Sequence, residues 1–346
     1  MSNQVISIAR FLHPTDERPV LDVRSPGEFE HGHIPGALNL PLFSNEERAQ
    51  VGTSYKQESP EKAFRMGIEM AGRKMGWYID QALLMAPDKK IRVHCWRGGK
   101  RSGSMAWLLS MAGFDVEVLY GGYKNYRHAV HDYFDTREPR FIVVGGNTGS
   151  GKTYVLHQLR ELGEQIIDLE AIAHHKGSAF GALGQAPQPT QEQFENDLFE
   201  AYRKLDKTKR IFIESESRKI GRCILPAGIH KAMQAYAYLT YSSPLEYRIQ
   251  HLVEQYGTYS IEALEASFQK IIKRLGYDQY QLAIQALHDN RLADAARIAL
   301  QFYDKAYAHS VSINPVPRKW HIDMQETDTR LIAQQIINAC NSFELI

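Results

Sequence analysis

Short apolar runs, separated by polar and glycine-rich breaks, recur along the chain with longer amphipathic stretches between them. The runs Pro19–Val23 and Ile91–His94 have the length and aliphatic content of buried strands. Ser102–Ala112 follows the second run as a predicted helix rich in Ala, Met, Trp and Leu. Gly121 and Gly122 break the chain before a helix expected near Lys124–Phe134, and the polar, proline-closed stretch Asp135–Pro139 is the expected linker. The pattern then restarts. Phe141–Val144 predicts a strand and Lys152–Leu162 a helix, with further strands at Gln165–Asp168, Arg210–Glu214, Tyr236–Tyr241 and Trp320–Asp323. A helical insertion of roughly 244–309 lies between the last two, with Ser243 placed to cap its first helix and Pro244 at the first helical position. Strand–helix alternation in both halves predicts two parallel-sheet α/β domains, 1–135 and 136–346, the second with a helical C-terminal region.

Composition supports two cores. The 346 residues are 43% hydrophobic and 23% charged, close to ordinary globular usage. No basic-then-apolar leader pattern opens the chain, and no apolar run approaches the ~18 residues of a membrane span. A cytoplasmic protein without a membrane partner is expected. Cys95, Cys223 and Cys340 are odd in number and widely spaced, fitting neither a disulfide framework nor a zinc site. No metal ligand set is predicted from them. The net charge of +1 hides a basic stretch at 203–222, where Arg203, Lys204, Lys207, Lys209, Arg210, Arg218, Lys219 and Arg222 outnumber Asp206, Glu214 and Glu216. Such a stretch suits either a phosphate backbone or a solvated surface.

Gly146-Asn147-Thr148-Gly149-Ser150-Gly151-Lys152-Thr153 matches the P-loop pattern in full, between a predicted strand and a predicted helix. Its glycines let successive backbone N–H groups turn toward phosphate oxygens, Lys152 would reach a terminal phosphate, and the Thr153 hydroxyl suits Mg²⁺. The second domain is thus expected to be P-loop NTPase-like. Asp168, Glu214 and Glu216 stand near strand ends, where an acid- or metal-orienting carboxylate is often found, though each also reads as a surface acid.

Cys95-Trp96-Arg97-Gly98-Gly99-Lys100-Arg101-Ser102 leads from a predicted strand straight into a helix. A thiol at a helix N-terminus among three cations has a lowered pKa, which makes Cys95 the candidate nucleophile. Gly98 and Gly99 let amides converge on whatever the sulfur carries, while Arg101 adds charge. Cys223 and Cys340 lack such surroundings.

The segments Asp22-Val23-Arg24-Ser25-Pro26-Gly27-Glu28-Phe29 and His31-Gly32-His33-Ile34-Pro35-Gly36-Ala37, with Gly121-Gly122-Tyr123, resemble the rhodanese signature. That resemblance implies a rhodanese-like N-terminal domain. Arg101 lies six positions after Cys95, whereas common sulfurtransferases have five; the longer loop is also the spacing of cysteine phosphatases. Joined to a P-loop domain, the Cys-Trp-Arg-Gly-Gly-x-Arg-Ser loop resembles the bacterial tRNA 2-selenouridine synthases. Supporting segments are Asn45–Arg48, Val51–Gln57, Asp168–Glu170, His175–Gly181 and Glu216–Gly221, and the likeness is weakest over 244–309.

The resemblance implies replacement of the sulfur of 2-thiouridine at the tRNA wobble position by selenium, through an S-geranylated intermediate. Selenophosphate and geranyl diphosphate would be substrates, a selenophosphate-producing enzyme the donor source, and no tightly bound cofactor is implied. Cys95 would carry selenium as S-selanylcysteine, and the P-loop would hold a diphosphate or a nucleotide. For tRNA contacts, His175 and Lys176 (beside His174), Arg218 and Lys219 are the candidates. A rhodanese-fold cysteine phosphatase, or a sulfurtransferase with a nucleotide-regulated second domain, remains an alternative, and so does a non-enzymatic nucleotide-gated binding module.

Overall fold

Five strands form the first sheet: β1 (Gln4–Ile6), β2 (Val20–Asp22), β3 (Leu38–Asn39), β4 (Lys90–His94) and β5 (Asp115–Leu119). All pairs are parallel, in the order β1-β5-β4-β2-β3, so β4 is central. Ile91, Val93, Val116 and Leu21 pack beneath Met105, Ala106 and Leu109 of the helix Lys100–Met111, which explains the apolar spacing of that helix. Helices Asn45–Gln57, Pro60–Gly72 and Met75–Met85 fill the stretch between β3 and β4. Ser44 opens the first of these with a capping box to Glu47, and Ser59 caps the second ahead of Pro60.

The computed structural model describes residues 3–136, 139–313, 315–323 and 327–345. Within it the chain divides into two units, Met1–Tyr133 and Phe134–Ile346. The second unit repeats the parallel principle with β6 (Phe141–Gly146), β7 (Gln165–Ile167), β8 (Ile211–Glu214), a two-residue antiparallel ladder of β9 (Lys219–Ile220) and β10 (Cys223–Ile224), β11 (Ala237–Tyr241) and β12 (Arg318–Ile322). The sheet order is β12-β11-β6-β8-β7, again with the loop-bearing strand central. β6 is buried along its whole length, as a strand covered on both faces must be. Helices from Leu245 to Ile313 lie between β11 and β12 and share a separate apolar cluster around Phe180, Leu264, Phe268 and Leu287. Among the described residues no helix is long and apolar enough to cross a membrane.

Two local expectations are corrected. Pro244, not Ser243, is the cap residue of the helix Leu245–Tyr256; its extended backbone (φ −54°, ψ 141°) starts the turn, and Arg248 N donates to Pro244 O at 3.1 Å. Ser243 therefore sits one residue too early, its hydroxyl buried without a hydrogen-bond partner among the described residues. The helix expected near Lys124–Phe134 runs Gly122–Thr136, so Asp135 and Thr136 continue it instead of starting a linker. Residues 137 and 138 of that linker lie outside the described residues.

A buried ion pair supports the first sheet's C-terminal edge. Asp22 accepts from Arg24 at 2.6–3.0 Å, Arg24 also donates to Gly32 O at 2.7 Å, and both side chains are 1% exposed or less. His94 lies 3.8 Å from the same carboxylate, and burial holds its pKa below the ordinary value. Removing one member of a buried pair leaves the other charge without compensation. Asp22→Ala is therefore expected to destabilise the N-terminal unit by about 3–5 kcal/mol. Urea unfolding followed by a probe in that unit checks this, and Arg24→Met in the same background is expected to recover part of the loss.

Candidate active sites at the ends of the central strands

Both sequence motifs fall where a parallel sheet makes room for ligands: beyond the carboxyl end of the central strand, with neighbouring crossovers running to opposite sides. Cys95 is the residue after β4, and its Sγ lies 3.3 Å from the Ser102 hydroxyl. Burial alone would push this thiol up. The hydrogen bonds from Ser102, the Arg101 charge and the Arg97 amide outweigh burial and hold it below the usual cysteine value. Burial raises the other two thiols, Cys340 to about 12, so Cys95 alone of the three is lowered.

Arg101 is itself fixed. Its guanidinium donates to Glu28 at 2.6 and 3.3 Å, and Arg48 stands 3.6 Å from the same carboxylate. Glu28 belongs to the helix Pro26–His31, where it also completes the Ser25 capping box. The acidic residue that orients the loop arginine thus comes from the signature segment and went unnoticed in sequence. Trp96 is half-buried beside Tyr123, while Arg97, Gly99 and Lys100 are exposed and Gly98 is half-buried. Lys100 leans 4.4 Å over the Phe64 ring.

In the second unit Gly146 ends β6, and Gly149 and Gly151 both adopt φ of 79° before the helix Lys152–Glu161. Lys152 Nζ donates back to Gly146 O at 2.9 Å and Asn147 O at 3.3 Å, across the mouth of the loop. The Ser150 hydroxyl is buried with no hydrogen-bond partner among the described residues. Thr153 Oγ1 donates to Glu170 Oε2 at 2.9 Å, and Glu170 N donates to Glu214 Oε1 at 2.7 Å. The Glu170 carboxylate stands close enough to Glu216 to act on its charge. Burial, then the nearby Glu170 charge, pushes Glu216 up to about 8, with Lys152 pulling the other way. Glu214 is raised by burial and then by Glu170, Asp168 and Glu216. Lys176 lines the same cavity, of about 480 Å³, and burial lowers its pKa.

Two of the three predicted carboxylates, Glu214 and Glu216, therefore meet at the P-loop, joined by Glu170. Asp168 is engaged elsewhere, capping Ala171 N at 2.8 Å and meeting His157 at 2.6 Å. His175 is buried, with its pKa lowered by burial. Arg218 and Lys219 are exposed on and beside β9. The basic stretch is not one free face: Arg203 pairs with Glu200, Arg210 with Glu164, and Arg222 donates to the carbonyls of Gln188 and Pro189. Among the described residues no group of three or more His, Cys, Asp or Glu is arranged to hold a metal ion.

Residues 139–315 match the family described as the tRNA 2-selenouridine synthase AAA domain, and residues 8–129 match the rhodanese-like domain. A tRNA 2-selenouridine synthase from Ectopseudomonas mendocina is 34% identical over 333 residues, covering 84% of this chain and 87% of that protein. The chain belongs to the tRNA 2-selenouridine synthase family. A family member from Shewanella loihica is 35% identical over 335 residues, covering 85% of this chain and 87% of that protein. One from Nitrosomonas eutropha is 38% identical over 249 residues, and the match spans 70% of this chain and 64% of that relative's length.

Two outcomes follow from the electrostatics. Ser102→Ala removes the side-chain hydrogen bond, first among the causes that lower the thiol, and keeps the Ser102 amide, so the pH midpoint of Cys95 alkylation is expected to move upward, as followed by iodoacetamide labelling and peptide mass spectrometry. For Glu216 the folded pKa lies above the unfolded one, so its favourable contribution is complete below about 4.5 and is lost as pH rises through about 8. At roughly 1.4 kcal/mol per pKa unit the loss is of the order of a few kcal/mol. Glu216→Gln is expected to flatten the fall in unfolding midpoint between pH 5 and 8 (about the window set by the two values).

Proposed function

We propose that the chain replaces the sulfur of 2-thiouridine at the tRNA wobble position with selenium, using selenophosphate, through an S-geranylated intermediate made from geranyl diphosphate. The observation carrying this reading is the pairing, in one family member, of a lowered-pKa thiol on a cationic loop with a P-loop cavity that adjoins an apolar pocket. The Cys95 loop delivers selenium, with the amides from Arg97 to Lys100 and the Arg101 charge holding selenophosphate beside the thiolate. Its selenium stays at the selenide level, displaces geranylthiolate from C2 of the uridine, and then loses the phosphoryl group to water as phosphate. A selenophosphate-producing enzyme supplies the donor, and the reaction takes place in the cytoplasm.

The P-loop holds the diphosphate of geranyl diphosphate. Thr148, Ser178, Leu252, Tyr256 and Tyr303 line both the polar cavity and the apolar pocket, whose further walls include Phe180, Leu264 and Phe268. An anionic head whose tail begins as hydrocarbon suits that continuity: the apolar pocket, of about 70 Å³, takes the first carbons of the chain, whereas a nucleobase would lose hydrogen bonds there. Lys152 stabilises the departing diphosphate as the allylic carbon passes to sulfur. The oxygen donors of Thr153 and Glu170 fit Mg²⁺, which binds with phosphate oxygens and a few carboxylates; when bound it supplies further neutralisation of the diphosphate. The exposed Arg218 and Lys219 and the half-buried Lys176 are the proposed tRNA contacts; His175, expected among them, is buried and is not one.

Mass spectrometry of wobble nucleosides tests this division. Cys95→Ser is expected to abolish selenation and to retain geranylation; selenation at the wild-type rate would sink the role of Cys95. Lys152→Ala is expected to slow geranylation by about 10²–10³-fold and to leave selenation of already geranylated tRNA intact. If it loses selenation and keeps geranylation, the P-loop serves a different ligand.

A further inference from the structure

An apolar groove of about 740 Å³ runs along the N-terminal unit beside the Cys95 loop. Tyr55, Phe64, Ile68, Met75 and Trp107 line it while remaining 39–61% exposed. Contiguous apolar exposure of this kind marks a binding surface, whereas scattered apolar side chains need no explanation. Phe64 and Ile68 stand four residues apart on the helix Pro60–Gly72, so one face of that helix is given to the groove and not to the core. The small side chains of Ala63, Ala71 and Gly103 leave the channel open. Its volume lies within the ~300–1,000 Å³ of pockets for small organic ligands.

The groove's chemistry is one-sided. No Asp or Glu lines it, and its charged residues are Lys100 and Arg101, both in the first turn of the helix Lys100–Met111. That turn also closes the Cys95 loop. Arg101 serves both places, lining the groove and lowering the Cys95 thiol through its charge. A ligand that fits has a hydrocarbon portion along Phe64, Ile68 and Trp107 and a negatively charged portion at Lys100 and Arg101.

We propose that this groove holds the hydrocarbon chain borne on the sulfur of an S-alkylated 2-thiouridine while that nucleotide faces Cys95. The proposal rests on the reading above, in which the prenylated nucleotide comes to the cysteine loop for replacement of its sulfur. The groove makes the N-terminal unit selective for the alkylated nucleotide over the bare thionucleotide, and the nucleotide's phosphates meet the two cations.

The test is equilibrium binding of the full chain to anticodon stem-loop RNAs carrying S-geranyl- or S-methyl-2-thiouridine at the wobble position. The wild type is expected to prefer the geranyl RNA at least tenfold. Ile68→Glu, at a half-exposed position, is expected to reduce the preference to below about threefold with an unchanged melting temperature, and Ile68→Leu to retain it. Trp107→Ser provides a second variant should Ile68→Glu fold poorly, and the same loss is expected. Lys152→Ala is expected to keep the preference, which separates this groove from the P-loop site. Equal binding of the two RNAs by the wild type overturns the proposal, and so does a preference that survives both groove substitutions. A change from dimer to monomer in Ile68→Glu on sedimentation would assign the groove to a second copy and overturn it as well. Selenation of the geranyl RNA is followed separately: its absence with the preference intact rejects the reading above while leaving the groove assigned.

Discussion

The cysteine site depends on how closely two turns approach. Gly122 sits so near the preceding loop that a Cβ there would lie 2.3 Å from the Cys95 carbonyl oxygen and 2.5 Å from the Gly98 nitrogen. Gly98 returns the constraint, since a Cβ there would lie 2.9 Å from the Leu119 carbonyl. Both glycines have positive φ, 60° and 67°. With that contact made, Tyr123 N and Lys124 N donate to the carbonyls of Cys95 and Trp96 at 2.8 and 2.9 Å. The loop's first carbonyls are thereby occupied from one side, and the Arg97 amide is left to the sulfur. Tyr123 then presents its ring to Arg24 at 3.8 Å, which links the turn to the buried Asp22 pair. Residues of the signature that never meet a substrate hold the thiol's surroundings in place.

The second unit solves the same problem with opposite charges. Its loop also follows the central strand and also uses two glycines at positive φ, but it is tethered from far along the chain. Asn147 donates to Asp304 at 2.8 Å, Arg248 pairs with Asp304, and Arg248 donates to Thr148 O at 3.2 Å. A Cβ on Gly149 would meet Arg248 O at 3.1 Å. The helical insertion is therefore part of the P-loop's architecture, since it supplies the cation and the acid that fix the loop's entry.

These tethers show where sequence reasoning stops. Both anion loops were legible because their chemistry is local: strand, glycines, cation and helix follow one another within about ten residues. The continuous Val, Ile and Phe runs of β6 and β8 were legible for the same reason, and β4 was read from its length and aliphatic content just before the cysteine loop. β1 and β3, three and two residues long, carry too little pattern to read, and the alternating charges of β5 hide a buried strand. Glu117 and Arg92 explain this last case, because they meet each other at 2.9 Å inside the sheet and so behave as a buried pair. Pairings across long separations left no local signal. Glu28 reaches Arg101 over 73 residues and Asn147 reaches Asp304 over 157. Glu170 drew no separate reading within the Asp168–Glu170 segment, although its carboxylate accepts from Thr153 and its backbone N–H donates to Glu214.

The charge each site carries before a ligand arrives constrains what the ligand must bring. At the cysteine loop cations exceed acids, the thiol is lowered, and an anion enters without compensation. At the P-loop Glu170, Glu214 and Glu216 are all raised, by burial first and then by neighbouring acids, Asp168 acting on Glu170, and Glu170 on the other two. A polyanion placed there would add to that repulsion. It is accommodated if Glu216 and its neighbours keep their protons, or if a cation enters with the phosphates. Binding of an anion at the P-loop is thus coupled to proton uptake or to a divalent ion, whereas at the Cys95 loop the resident cations offset the entering charge. The two loops look alike in backbone, both glycine-rich turns beyond a central strand, and differ in the charge that surrounds them. That difference favours a thiolate at one loop and, at the other, an anion that arrives with a proton or a cation.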